Sequence, residues 1–192
     1  MRLRPSGSSG LLVSHIKAFG EYQTNKAWTW EQQALIKARP ICGDSALAAR
    51  FTRMRKKIIT RPRDRNDLQK EVTSMRERMR REHQAAGPDV FDLKQGPGAM
   101  VDIEFLVQFL VLLNARRHPA LAAWTDTVRL LETLARCNVM DKKTALSLKE
   151  TYLAYRSEIH RCSLQEKPAR VPEKKFSGQG RKVAEIWRYF LG

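Results

Sequence analysis

Thirteen consecutive residues, Val101 to Leu113, are apolar on nearly every side of a helix, and such a segment is satisfied only by burial from all directions. The run is well short of the roughly 20 residues a bilayer needs, and Asp102, Glu104 and Gln108 interrupt it. It must therefore lie at the centre of a water-exposed fold, surrounded by amphipathic elements. The chain has material for that: 192 residues, 42% hydrophobic and 29% charged, enough for one domain with a real core. Its three cysteines, Cys42, Cys137 and Cys162, lack C-x-x-C spacing and are expected as buried, reduced thiols. The N-terminus has no signal-peptide h-region, so the expected location is cytoplasmic, with no membrane partner.

The surrounding pattern is helical. Ser14 is placed to cap a helix through about Asn25, a second spans about Trp28 to Arg39 before Pro40, and Asp44 caps a third to about Thr60 with Leu47, Phe51, Met54 and Ile58 on one face. Asn66 or Asp67 opens a fourth to about Gln84, striped by Leu68, Val72, Met75 and Met79. After the central helix, extended to about Arg117, the pattern predicts helices over about Asp126 to Cys137, Asp141 to Leu164 and Arg181 to Phe190. Only Arg2-Leu3-Arg4 and Val90 to Leu93 suit short strands. With no repeat and no alternation of strand and helix, the fold class is all-α, a helical bundle.

The charge is concentrated. Lys and Arg number 36 against 20 Asp and Glu, a formal net charge of +16, and from Arg50 to Glu82 thirteen basic residues face five acidic ones. Arg53, Arg55, Lys56, Lys57, Arg76 and Arg80 are thus candidates for a partner-binding stripe. Nucleic acid is the disfavoured partner, because the stripe has one aromatic, Phe51, on the apolar face, and no known nucleic-acid-binding motif accompanies it. The four histidines are isolated and no G-x-S-x-G frame occurs, so neither a metal motif nor a nucleophile elbow is present. Lys94, the turn glycines Gly96 and Gly98, and the acids Asp102 and Glu104 fall within eleven positions. A glycine turn opening a helix can hold an anion through free N–H groups, and an acid on a buried helix is costly unless paired or wet. These residues are candidates for lining a cleft; a turn and a paired core carboxylate are the alternative.

Arg2-Leu3-Arg4-Pro5-Ser6-Gly7-Ser8-Ser9-Gly10-Leu11-Leu12-Val13, Ala27-Trp28-Thr29-Trp30-Glu31, Ala34 to Arg39, Phe91 to Lys94, Asp102-Ile103-Glu104-Phe105 and Trp187 together resemble the bacterial glutamate-ammonia ligase adenylyltransferases, over essentially the whole chain. The likeness is to the C-terminal part of the adenylylating half. It implies transfer of AMP from ATP to a tyrosine of glutamine synthetase, under control of a PII-type signalling protein. It further implies Mg²⁺ held by an acidic triad: an Asp-x-Asp pair after a Gly-Ser motif, and a third aspartate just before the Arg-Leu-Arg-Pro stretch. This chain contains no Asp-x-Asp pair and begins at Met1, immediately before that stretch.

The resemblance thus implies residues 1–13 as the last strand and turn of a nucleotidyltransferase domain and residues 14–192 as a C-terminal helical bundle. No catalytic or metal-binding residue is expected within the chain, which alone should be inactive and hold neither Mg²⁺ nor ATP tightly. Arg2, Arg4, Lys94, Gly96, Gly98, Asp102 and Glu104 become candidates to face the nucleotide. Where the family has Gly-Gly, this sequence has Gly98-Ala99. A docking module for glutamine synthetase or a PII-type protein is the second reading.

Overall fold

Three aspartates start three helices by accepting hydrogen bonds from otherwise unpaired first-turn amides: Asp44 from Leu47 N at 2.7 Å, Asp126 from Arg129 N at 2.9 Å, and Asp141 from Thr144 N at 2.9 Å. In the computed structural model, which describes residues 10, 13–82, 87 and 89–192, these helices are α3 (Ser45–Ile59), α6 (Thr127–Arg136) and α7 (Lys142–Leu164). The others are α1 (Ile16–Asn25), α2 (Thr29–Ile36), α4 (Arg65–Glu82), α5 (Met100–Asn114) and α8 (Ser177–Leu191). The fold is mostly α, as the periodicity predicts. No helix among the described residues is long and apolar enough to cross a membrane.

At the centre runs α5, with Ile103, Phe105, Leu106, Phe109 and Leu110 almost fully sealed from solvent. Leu68 and Val72 of α4, Leu130, Leu131 and Leu134 of α6, Leu148 and Tyr155 of α7 and Val183 of α8 complete that core. Phe19 of α1, Leu35 of α2 and Ile58 of α3 form a smaller cluster, covered by Phe51 and Met54. Leu47, expected on the same face of α3, is instead exposed. Of the cysteines, Cys162 is buried, Cys137 half-buried and Cys42 exposed, which corrects the expectation of three buried thiols.

The one strand expectation that falls on described residues is met by β1 (Val90–Asp92), which pairs antiparallel with β2 (Arg170–Pro172) in the register Phe91↔Val171. The partner strand has no counterpart among the expected elements, because it lies in a short proline-flanked segment between Pro168 and Pro172 that carries no strand alternation of its own. Helix α8 begins at Ser177, four residues before the expected Arg181, and its first turn packs closely against the chain. Gly98 adopts φ +73°, and a Cβ there would stand 2.0 Å from the Gly180 carbonyl oxygen; a Cβ on Gly180 would stand 2.9 Å from the Phe91 ring. The two glycines let the first turn of α8 close on the loop that enters α5. The expected strand Arg2-Leu3-Arg4 lies outside the described residues.

Candidate functional site

Successive residues of a helix turn by about 100°, so Asp102 and Glu104 leave α5 about 200° apart. The structure keeps them on opposite sides. Asp102, in the positive first turn of α5, is completely buried against α4. Its Oδ1 accepts from Arg76 Nε at 2.6 Å, and its Oδ2 accepts from Arg80 Nη2 at 2.6 Å and from Gly98 N at 2.7 Å. Arg76 is equally buried and spends its remaining donors on Gln95, reaching Oε1 at 3.2 Å and the carbonyl at 2.8 Å. Burial lowers the guanidinium pKa of Arg76, and the Asp102 charge opposes that.

The glycine loop is spoken for in the same way. Lys94 N and Gln95 N donate to Asp92 Oδ1 at 2.9 and 2.8 Å, and Gly96 N donates to the Asp92 carbonyl at 3.1 Å. Ala99 N donates to Gly96 O, Met100 N to Leu93 O, Val101 N to Lys94 O and Asp102 N to Ala99 O. Tyr155 donates to the Gly98 carbonyl at 3.1 Å. Every backbone N–H from Lys94 to Asp102 is therefore satisfied internally, and none is left to cradle a phosphate. In this conformation Gly96 and Gly98 serve turn geometry and close approach. The anion at this helix start is the chain's own Asp102.

Glu104 faces α2 and α7 instead. Its carboxylate pairs with Lys37 and accepts from the Tyr152 hydroxyl at 3.1 Å. Burial, and then the Glu104 charge, raise the Tyr152 phenol above its ordinary pKa, so it stays a donor. One turn further on, Gln33 Nε2 donates to Gln108 Oε1 at 3.3 Å, so α2 and α5 meet along a polar seam in which Glu104 keeps about a fifth of its side-chain surface exposed. Lys94 is exposed. Of the candidate cleft residues, Asp102 and Glu104 are thus separated, and Arg2 and Arg4 lie outside the described residues. These acids do not suit a magnesium ion: each is neutralised by a basic side chain, and they diverge. Among the described residues no three His, Cys, Asp or Glu side chains group into a cation site.

The basic stripe also divides. Arg53, Lys56 and Lys57 are exposed on α3. Arg55 is buried and donates to the carbonyls of Leu35 at 2.9 Å, Ala122 at 2.6 Å, Trp124 at 3.1 Å and Ile36, closing the C-terminal end of α2. Burial pulls its pKa down to about 10, and among the described residues no carboxylate pairs with it. Arg55 and Arg76 are therefore unavailable to a partner, and Arg80 is committed to Asp102 while stacking near Trp187. Helical arithmetic held the signal: Arg55 follows Phe51 by four residues, and Arg76 follows Val72 by four, so both arginines continue apolar stripes. Arg63, not singled out by its sequence, does for α3 what Arg55 does for α2, donating to Ile59 O at 2.9 Å and Ile58 O at 3.0 Å, with a pKa lowered to about 10 mainly by burial.

Comparison with known proteins divides the chain where α3 gives way to α4. Residues 1–54 match the family model for glutamate-ammonia ligase adenylyltransferase, and residues 66–187 match that for GlnD PII-uridylyltransferase. Across 191 residues the chain is 46% identical to the bifunctional glutamine synthetase adenylyltransferase/adenylyl-removing enzyme of Methylococcus capsulatus, covering 100% of this chain and 20% of that protein. The like-named proteins of Shewanella loihica and Thioalkalivibrio sulfidiphilus are 45% and 47% identical over 100% and 97% of this chain, and 20% and 19% of their own lengths. The chain spans about one fifth of these relatives.

Proposed function

This chain belongs to the glutamate-ammonia ligase adenylyltransferase family, and from that membership we propose that it is the helical scaffold segment of an enzyme moving AMP from ATP to a tyrosine of glutamine synthetase. In this reading residues 14–192 support the catalytic portion, and the Mg²⁺-binding carboxylates of the reaction lie elsewhere in the full enzyme. The observation that carries it is the closed accounting of α5. Asp102 is consumed by two arginines and an amide, and Glu104 is anchored by Lys37 and Tyr152 while part of its side chain stays open to solvent. A helix whose acids are all committed to neighbouring helices acts as a frame. Lys94 and the partly exposed Glu104 are the residues of this frame offered to a nucleotide-bearing cleft. Glutamine synthetase and a PII-type protein are the proposed partners of the parent enzyme, and the cytoplasm its proposed location.

The test is incorporation of radiolabelled AMP into glutamine synthetase with ATP and Mg²⁺. The isolated chain is expected to give only the no-protein blank, whereas the full-length enzyme labels its substrate. In the full-length enzyme Glu104→Gln or Lys94→Ala is expected to lower transfer at least about tenfold, or about 1.4 kcal/mol of transition-state stabilisation, with the fold retained. Labelling by the chain alone would overturn the scaffold reading, and normal turnover in either variant would overturn the cleft role of Lys94 and Glu104.

A further inference from the structure

Helices α6 and α7 bury Leu130, Leu131, Leu134 and Leu148 toward α5, yet their opposite faces form a groove of about 620 Å³ that no element of this fold among the described residues fills. Its floor is apolar. Ala135 and Ala145 keep it low, and Leu146 stands 53% exposed where a core residue would be covered. Trp124 also lines it. The rim is basic: Arg129, Arg136, Lys142 and Lys149 against the single acid Glu132, which is already paired with Lys149 at 2.6 Å. Arg129 lies 3.8 Å from Asp126, a loose pair, and among the described residues no carboxylate lies within ion-pair distance of Arg136 or Lys142.

From this geometry we propose that the α6/α7 groove docks an acidic amphipathic helix of a partner protein. A trough between two antiparallel helices receives a third helix by ridges-into-grooves contact, and the floor from Lys142 to Lys149 is about 10 Å long, or two helical turns. Its occupant presents apolar side chains at helical spacing to Leu146 and the two alanines, with Asp or Glu toward Arg136 and Lys142. Charge selects this occupant over the others. A second copy of the chain would bring two basic rims face to face, which like-charge repulsion opposes. A single-stranded nucleic acid would stack its bases on an open aromatic face, but the Arg129 guanidinium lies 4.5 Å from the centre of the Trp124 ring and covers one side, and a duplex held through its phosphates would leave the apolar floor uncovered. The groove is lined by Trp124 and residues of α6 and α7 and includes neither Lys94 nor Glu104, so the inference stands or falls separately from the scaffold reading.

The test uses the intact chain and a fluorescein-labelled synthetic helix of about 14 residues, with leucines at helical spacing flanked by glutamates, in anisotropy titrations at physiological salt. A matched peptide with serine in place of leucine serves as control. The leucine peptide is expected to bind at least about tenfold more tightly than the serine peptide, and Leu146→Glu and Lys142→Glu each to weaken it at least about tenfold. Lys57→Glu, on α3, is expected to leave binding unchanged. All three positions are exposed, and an unaltered circular dichroism spectrum verifies the fold. Equal losses from Lys57→Glu and Lys142→Glu would mean delocalised charge attraction and overturn the proposal. So would indifference to Leu146→Glu, a Leu146-dependent dimer in sedimentation, or displacement of the peptide by duplex DNA.

Discussion

Arg76 and Asp102 form an ion pair of 2.6 Å in which both side chains are wholly sealed from water, joining α4 to the first turn of α5. Two charges so placed are stable only as a set, because each removed alone leaves the other desolvated. Arg76→Met is expected to destabilise the chain by about 3 kcal/mol, and Asp102→Leu by at least that much, since it strips Arg76, Arg80 and Gly98 N together. The double variant should cost clearly less than the sum of the two. Urea denaturation of the four proteins measures the coupling, and strict additivity would contradict a mutually dependent pair.

Gly98 permits a test of steric closure free of electrostatics. Its φ of +73°, and the mere 2.0 Å that would separate a Cβ there from Gly180 O, leave no room for alanine, and the obstacle is backbone, which cannot swing aside. Gly98→Ala is expected to cost at least about 3 kcal/mol or to prevent folding. Gly178, in the first turn of α8, has nothing within 4 Å of its Cβ direction, so Gly178→Ala should be neutral or stabilise by up to about 1 kcal/mol. A thermal melt separates the two, and equal midpoints would refute the close-contact account.

Helix identity and the burial of α5 were readable because periodicity and apolar continuity are local properties of the chain. Arg55 and Arg76 show where local reading stops. Both occur in a dense basic stretch that reads as a partner-binding stripe, but their i,i+4 relation to Phe51 and Val72 turns them inward, where carbonyls and a carboxylate from distant elements satisfy them. Which acceptors wait there depends on helix C-termini brought together by the fold, and no window of sequence holds that information. Clustering within eleven positions likewise suggested one site for Lys94, Asp102 and Glu104, whereas the helical turn sends the two acids to opposite sides of α5.

The internal role of Arg55 gives a sharp contrast with its neighbours. Lysine at this position keeps the charge but has no planar fork to reach Leu35, Ile36, Ala122 and Trp124 carbonyls at once. Arg55→Lys is expected to cost about 2 kcal/mol or more, while Lys56→Ala and Lys57→Ala on the exposed face should stay within about 0.5 kcal/mol of wild type. Guanidinium titrations of the three variants check this, and an unperturbed Arg55→Lys protein would show that the carbonyl contacts are dispensable.

Glu158 of α7 supplies the pH dependence. Its carboxylate lies 2.7 Å from Lys175, in the 3₁₀ turn directly after β2, and 3.4 Å from Arg161. The hydrogen bond from Lys175, ahead of the charge of Arg161, holds the carboxyl below its ordinary value of 4.5. A depressed carboxylate stabilises the fold above its unfolded pKa, because the unfolded chain then takes up protons more readily, and that contribution disappears as pH falls through the folded value. Wild type is therefore expected to exceed Glu158→Gln in urea midpoint at about pH 7, with the gap closing on acidification below about pH 4. Because Lys175 keeps 42% of its side chain in solvent, added salt should shrink the gap at neutral pH as well. A difference between the two proteins that stays constant from neutral to acid pH would mean that Glu158 contributes shape and not charge, and that the turn after β2 is held to α7 by other contacts.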